Sequence, residues 1–405
     1  MEKFIKMAAV FALLIIIVQS IFICGAGAES PATEYLSEDI LCDVPVANES
    51  ATVLDIKAAG VVLMEPKTGT VLYQKNSDEI LAPASITKIM SLLLVMEAIE
   101  EGKINLNTKV TASEHAASMG GSQIWLEVGE TLTVDEMLRA SVIASANDAT
   151  VALAELVAGS EEGFVALMNN KAKELGMKNT SFVNACGLDA EGHYTTAMDV
   201  GIMASALIKH DLIKKYSTVW MDALRNGKSQ LVNTNKLVRY YNGATGLKTG
   251  TTSKAGCCVA ATAKRGDLEL VAVVMKGENS NERFNGAKKL LDYGFANWEF
   301  TTLTGDGIEL DEIKCEKGVE EKIIPQIKGE VNLLIQKGNK SKLKKQVSIN
   351  ENITAPIKTG EKIGSVKFTL DGKEVGQLSV TAVKDVEKIG FINSLSALIN
   401  AIFMP

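Results

Sequence analysis

Histidine is scarce. The 405 residues hold three, His115, His193 and His210, and none lies in an HExxH pattern, which excludes the helical zinc site of many metallopeptidases. The six cysteines, Cys24, Cys42, Cys186, Cys257, Cys258 and Cys315, show no CxxC spacing. A zinc ribbon is therefore excluded as well, and no metal or cofactor is expected. A chain of this size needs no disulfide framework, so the cysteines are expected to serve mostly as small apolar residues. Positive charge is not in excess: 42 Lys and Arg stand against 49 Asp and Glu, a net charge of −7. A nucleic-acid partner, which wants a basic face, is not expected. What is present is an ordinary globular composition, 46% hydrophobic and 22% charged, at a length beyond one average domain.

Lys3 and Lys6 precede an apolar run, Met7–Ile23, broken at Gln19 and Ser20 and followed by Ala26-Gly27-Ala28. This is the pattern of a secretory signal peptide over residues 1–28, and it predicts export with cleavage after Ala28. An uncleaved membrane anchor is the competing reading. Ile23 before Cys24 does not suit a lipoprotein processing site. Residues 29–55 are polar and mixed, a flexible lead-in. Ala58–Ile80 reads as a hairpin, with strands at Val61–Met64 and Thr70–Gln74 around a turn at Pro66–Gly69. Helical patterns follow over Thr87–Ile99, Thr133–Ser145, Asp148–Val157, Glu162–Leu175 and Thr195–His210. After Gly246 the pattern turns to three antiparallel strands, then a helix over Arg283–Trp298. Strand hairpin, helical insertion, meander and returning helix make an α+β domain spanning residues 56–300. Residues 301–383 are strand-rich, with a hairpin turning at Asp371-Gly372, and read as a small all-β domain.

Residues 384–405 close the chain. On a helix, Ile389, Ile392, Leu395, Leu398, Ile399, Ile402 and Phe403 share one face, while Gly390, Asn393, Ser394, Ala397 and Asn400 share the other. Such a helix suits a membrane surface better than a span. A helix docked on the protein is the alternative, and the polar face lacks the usual Lys and Arg.

The chemistry is concentrated in "PASITKIM". Ser85 and Lys88 are three positions apart at the start of an apolar helix, so the amine can reach the hydroxyl. A serine needs a base to act as nucleophile. A lysine serves as that base only if burial or a second cation lowers its pKa. A helix N-terminus also favours an oxyanion. SxxK alone is weak, but it has ordered companions: Ser145-Ala146-Asn147, and then Lys248-Thr249-Gly250 at the start of a strand. Together they form the motif set of penicillin-binding proteins and serine β-lactamases. A second Lys-Thr-Gly, Lys67–Gly69, falls in the first hairpin's turn and is read as turn chemistry. Without their companions, Ser145 and Asn147 would read as helix caps and Lys248 as a solvated strand lysine; Asp148 reads as a helix N-terminal acid, and His193 as a structural hydrogen-bonder.

Longer stretches, "VLYQKNSDEILAPASITKIMSLLL", "GSQIWLEVGETLTVDEMLRASVIASANDATVALAE" and "NACGLDAEGHYTTAMDV", resemble the low-molecular-mass D-alanyl-D-alanine carboxypeptidases. The resemblance implies a β-lactamase/penicillin-binding transpeptidase-like fold, an antiparallel sheet with a helical cluster. The small β domain and terminal amphipathic helix fit that family's layout. It implies that Ser85 attacks the carbonyl between two terminal D-alanines of a peptidoglycan stem peptide, with Lys88 taking its proton. Ser145 would pass a proton to the leaving amine, and Asn147 would orient Lys88 and the substrate amide. Lys248 would lower the Lys88 pKa and attract substrate, and Thr249 would bind the terminal carboxylate. Backbone N–H groups of Ser85 and Thr251 would form the oxyanion hole, and Gly250 would let substrate pair along the strand. β-Lactam antibiotics would acylate Ser85, and the terminal helix would meet the membrane surface.

Two positions depart from the family pattern. Asn233-Thr234-Asn235 stands where some members carry arginine, leaving the carboxylate to Thr249 or Lys236. Thr251 stands where some carry histidine. Rival readings are a serine β-lactamase, for which no glutamate here begins an ExxLN stretch, and a peptidoglycan-binding module without activity.

Overall fold

The computed structural model describes residues 54–390. The expected signal segment, most of the lead-in and residues 391–405 of the expected terminal helix lie outside them. The elements run β1 (Ala58–Glu65), β2 (Thr70–Lys75), a 3-10 turn (Ala84–Thr87), α1 (Lys88–Glu100), β3 (Lys109–Thr111), α2 (Glu114–Ala117) and β4 (Thr131–Thr133). Then come α3 (Val134–Ile143), α4 (Asn147–Ala158), α5 (Glu161–Glu174), α6 (Ala197–Leu207), α7 (Asp211–Ser217), β5 (Met221–Leu224), β6 (Ser229–Val232) and α8 (Leu237–Tyr240). The sheet resumes with β7 (Ala244–Thr252), β8 (Gly256–Arg265) and β9 (Leu268–Gly277), followed by α9 (Ser280–Asn297).

One antiparallel sheet, in the order β2-β1-β9-β8-β7, divides two cores. Its strands alternate, as a period of two requires. Val62, Met64, Val271, Val273 and Met275 face the helical cluster, while Val61, Leu63, Ala272 and Val274 face α9 with Phe284, Leu290 and Leu291. At the centre of the helical side is α1, buried continuously from Lys88 to Met96. A helix apolar on all sides belongs inside a core. Truncating a side chain such as Leu93 there costs roughly 2–5 kcal/mol. α3 begins with a capping box: Glu136 N–H donates to Thr133 Oγ1 (3.2 Å), and Thr133 N–H donates to Glu136 Oε2 (2.8 Å). The first hairpin turns as the sequence predicts, with Glu65 accepting from the backbone of Lys67 and Thr68. The sequence reading missed α7 and the β5–β6 hairpin, both too short to carry a periodic signature.

Beyond α9 the chain is strand-rich: β10 (Trp298–Thr304), β11 (Ile313–Lys314), β12 (Lys322–Ile323), β13 (Pro325–Lys328), β14 (Glu330–Gln336), β15 (Lys344–Ile349), β16 (Lys362–Leu370) and β17 (Lys373–Ala382). β10 pairs with β14, and a four-stranded sheet runs β13-β17-β16-β15. Asp371 (φ 50°) and Gly372 (φ 81°) make the β16–β17 turn, the left-handed pair that a tight hairpin favours.

The expected terminal helix does not start at residue 384. Val386, 1% exposed, exchanges backbone hydrogen bonds with Ile357, and Ile389 N–H donates to the Lys317 carbonyl (2.8 Å). Asp385 accepts from the backbone and hydroxyl of Thr359. These residues are extended because the β-domain core takes up Val386 as a strand residue. Among the described residues, no helix is long and apolar enough to cross a membrane.

Candidate active site

Ser85 sits not in the α helix but in the 3-10 turn that feeds it, after Ala84 at φ 48°. That left-handed residue is held from several sides. Thr87 Oγ1 donates to the Ala84 carbonyl (2.8 Å) and accepts from His193 Nε2 (2.8 Å). Val183 N–H donates to His193 Nδ1 (2.9 Å), which fixes the neutral tautomer. Burial, which disfavours the cation, takes the His193 pKa down to about 4. His193 is thus the structural hydrogen-bonder that the sequence suggests. Gly187, at φ 91°, lies against the same turn; a Cβ there would stand 1.9 Å from the Ala84 oxygen.

Lys88, the first residue of α1, is wholly buried. Its Nζ reaches Ser85 Oγ (3.1 Å), Asn147 Oδ1 (2.5 Å) and the Cys186 carbonyl (2.7 Å), so each of its three donors has a partner. Burial lowers its pKa to about 8. Asn147 opens α4; its Nδ2 donates to the Gly120 carbonyl and its N–H to the Ser122 carbonyl, both at 2.6 Å. Asp148, also buried, is more than a helix acid: its carboxylate accepts from the N–H groups of Ile124 and Leu126. Loop 120–126 is thereby tied to the start of α4.

Ser145, at φ 62°, lies between α3 and α4 and accepts from Lys248 Nζ at 2.8 Å. Lys248 is 1% exposed. Its pKa is held well below the ordinary value, by burial first and then by the charges of Lys88 and Arg283. Burial is the largest cause of the lowered pKa at both lysines.

β7 is an edge of the sheet and passes close to Ser85. A Cβ on Gly250 would stand 2.9 Å from the Ser85 nitrogen and 3.0 Å from the Ile86 nitrogen. Thr249 Oγ1 donates to Thr234 Oγ1 (2.7 Å), so the position where some family members carry arginine meets the Lys-Thr-Gly threonine through a hydroxyl. Lys236 is exposed at the start of α8. The nearby cation that sequence reasoning missed is Arg283 of α9. It donates to the Gly250 carbonyl (3.2 Å) and to Thr251 Oγ1 (2.9 Å). Nothing in its local sequence marks it, because only the closure of β7, β8 and α9 brings it there. The Cys186 carbonyl is equally invisible, since a backbone acceptor has no residue signature. Cys186, Cys258 and Cys315 are buried free thiols, as their expected apolar role requires.

A strand edge beside a serine, with two buried lysines and a short asparagine, on a sheet packed between helices, defines the class of serine peptidases with penicillin-binding-protein architecture. The chain belongs to the D-alanyl-D-alanine carboxypeptidase family, peptidase S11, which it matches over residues 46–279. Residues 298–388 match the C-terminal domain of penicillin-binding protein 5. The D-alanyl-D-alanine carboxypeptidase DacF of Bacillus subtilis is 46% identical over 343 residues, 84% of this chain and 88% of that protein. The fold is similar to penicillin-binding protein 5 from Haemophilus influenzae, with a TM-score of 0.71 and 32% identity over 84% of this chain and all of that one. It is also similar to penicillin-binding protein D2 from Listeria monocytogenes, solved in its ampicillin-bound form, with a TM-score of 0.55 and 30% identity over 60% of this chain and 99% of that one. The protein is a serine-type D-Ala-D-Ala carboxypeptidase, and this reading stands above a β-lactamase or an inactive binding module.

Proposed function

We propose that Ser85 is the nucleophile that removes the terminal D-alanine of peptidoglycan stem peptides, with Lys88 as its base. The observation that carries this reading is the buried Lys88 amine, 3.1 Å from Ser85 Oγ, with a pKa brought down to about 8. A neutral amine there accepts the Ser85 proton as Oγ bonds to the scissile carbonyl carbon. The oxyanion meets the backbone N–H groups of Ser85 and Thr251. Ser145, held by Lys248, relays the proton that Lys88 took from Ser85 to the departing amine of D-alanine, which leaves Ser145 a hydroxyl and Lys88 neutral again. Asn147 holds Lys88 and the substrate amide. Thr249, with Thr234 behind it and Arg283 beside Thr251, receives the terminal carboxylate, and Gly250 leaves room for substrate on the strand edge. Water then attacks the ester on Ser85 and frees the shortened peptide.

Penicillins, as mimics of acyl-D-Ala-D-Ala, form a slowly hydrolysed ester on the same serine. The test is D-alanine release from a synthetic pentapeptide: the wild type releases it, and Ser85→Ala does not. Release by Ser85→Ala at the wild-type rate refutes the assignment.

The reading places the protein at the outer face of the cytoplasmic membrane. Residues 1–28 direct export, 29–55 form a lead-in, 56–300 catalyse, 301–383 and the following extended segment form the β domain, and residues 391–405 lie on the membrane. Deleting residues 391–405 moves the exported protein from the membrane to the soluble fraction; retention in the membrane contradicts the anchor.

A further inference from the structure

Loop 120–126 presents an aromatic residue in an unusual way. Trp125 is 74% exposed, at φ 58°, a conformation that non-glycine residues rarely adopt. Its neighbours are anchored. Ile124 and Leu126 are each 5% exposed, and their N–H groups donate to the buried Asp148 carboxylate. From the other side, Arg225 donates to the carbonyls of Ile124 (2.8 Å) and Trp125 (3.3 Å) while its Nε meets Glu130 Oε1 (2.7 Å). The strained backbone is therefore over-determined, and its effect is to turn an indole into solvent. Strain held by surrounding structure is a feature of functional sites.

The loop borders the reaction centre. Asn147, which holds Lys88, bonds to Gly120 and Ser122. A Cβ on Gly121 would meet Asn147 Nδ2 at 2.9 Å and Leu188 Cδ2 at 3.8 Å. Leu188 follows Gly187, the residue seated on the Ser85 turn, and is itself 37% exposed. The surroundings of the site are thus of two kinds. At Thr234, Thr249, Thr251 and Arg283 they are polar and suit a carboxylate. Beside Asn147, the loop that bonds to it carries the exposed Trp125, and the half-exposed Leu188 lies near Gly121.

We infer that Trp125 is a substrate-contacting residue. It forms a shelf for the aliphatic side chain of the stem-peptide residue that precedes the acyl D-alanine. The inference rests on the carboxypeptidase reading of Ser85. A preformed aromatic loses little conformational freedom on binding, so the contact gives longer peptides an advantage over a minimal acyl-D-Ala-D-Ala.

The test compares acetyl-D-Ala-D-Ala with the pentapeptide L-Ala-γ-D-Glu-L-Lys-D-Ala-D-Ala. Trp125→Ala lowers kcat/KM for the pentapeptide about tenfold, through KM, the size expected of one aromatic contact. The acetyl dipeptide is unaffected, and Trp125→Phe keeps most of the pentapeptide rate. Equal losses on both substrates, or no loss on the pentapeptide, overturn the inference. Wild-type protein that cleaves neither substrate overturns the carboxypeptidase reading and the inference with it. A second readout needs no turnover. In Ser85→Ala protein the pentapeptide shifts indole emission to the blue, and Trp125→Phe abolishes the shift; a shift that survives Trp125→Phe contradicts the contact.

Discussion

Lys248 Nζ lies 2.8 Å from Ser145 Oγ, joining the sheet edge to the junction of α3 and α4 across 103 residues of sequence. The pair makes Ser145 a hydroxyl that accepts from a buried amine and keeps its own proton free to pass on, the property a proton relay needs. Groups that act as one unit do not contribute additively. Lys248→Ala and Ser145→Ala are each expected to slow acylation by penicillin, and the double variant to be little slower than the worse single one. Rates that multiply would show that the two side chains act independently.

Acylation should follow the protonation of Lys88. Its pKa is lowered to about 8, so the neutral, base-competent form grows tenfold per pH unit below that point and saturates above it. The acylation rate is expected to rise toward pH 8 and then level off. Lys88→Ala should lose roughly 10²–10⁴-fold, the usual worth of a positioned base. Rapid-mixing measurements from pH 6 to 9 decide this; a flat profile contradicts the assignment.

Gly250 is a packing requirement of the site. A Cβ placed 2.9–3.0 Å from the nitrogens of Ser85 and Ile86 must push β7 away from the nucleophile. A shift of about 1 Å can cost on the order of a hundredfold in rate. Gly250→Ala is expected to retain the melting behaviour of the wild type within a few degrees while losing about that factor in acylation. Wild-type kinetics from this variant would mean that the strand does not set the geometry.

His193 predicts the acid limit of the fold. Its pKa is depressed from 6.5 to about 4, so the unfolded chain binds its proton first. The stability it contributes is complete above about pH 6.5 and is lost as pH falls toward 4, a change of about 3 kcal/mol for a shift of this size. Urea unfolding at pH 7 and pH 4.5 measures it. His193→Gln should be less stable at pH 7 and show a smaller drop between the two pH values; an unchanged drop refutes the assignment.

The residues that announce themselves are those whose type and spacing carry the chemistry. Ser85 and Lys88 share a helical period, and Ser145, Asn147 and Lys248 are recognisable by order. The β1–β2 and β16–β17 hairpins announce themselves through turn residues. Contacts made by backbone or by distant closure were not legible: the Cys186 carbonyl on Lys88, Arg283 beside Thr251, and the Asp148 anchor beneath Trp125. Sequence indicates that two lysines meet, but the burial that lowers both of their pKa values is a property of the packed core. Ile389 suited a helical face by its apolar spacing, but backbone pairing of Val386 with Ile357 and of Ile389 with Lys317 holds this segment extended.

The central claim is that Ser85 is the acylated nucleophile. Intact-mass spectrometry of the full chain, followed over time after adding benzylpenicillin, tests it most directly. A lasting adduct of one penicillin is expected, mapped by peptide digestion to Ser85 and missing from Ser85→Ala. Folded protein that forms no adduct, or an adduct that persists in Ser85→Ala, would contradict it.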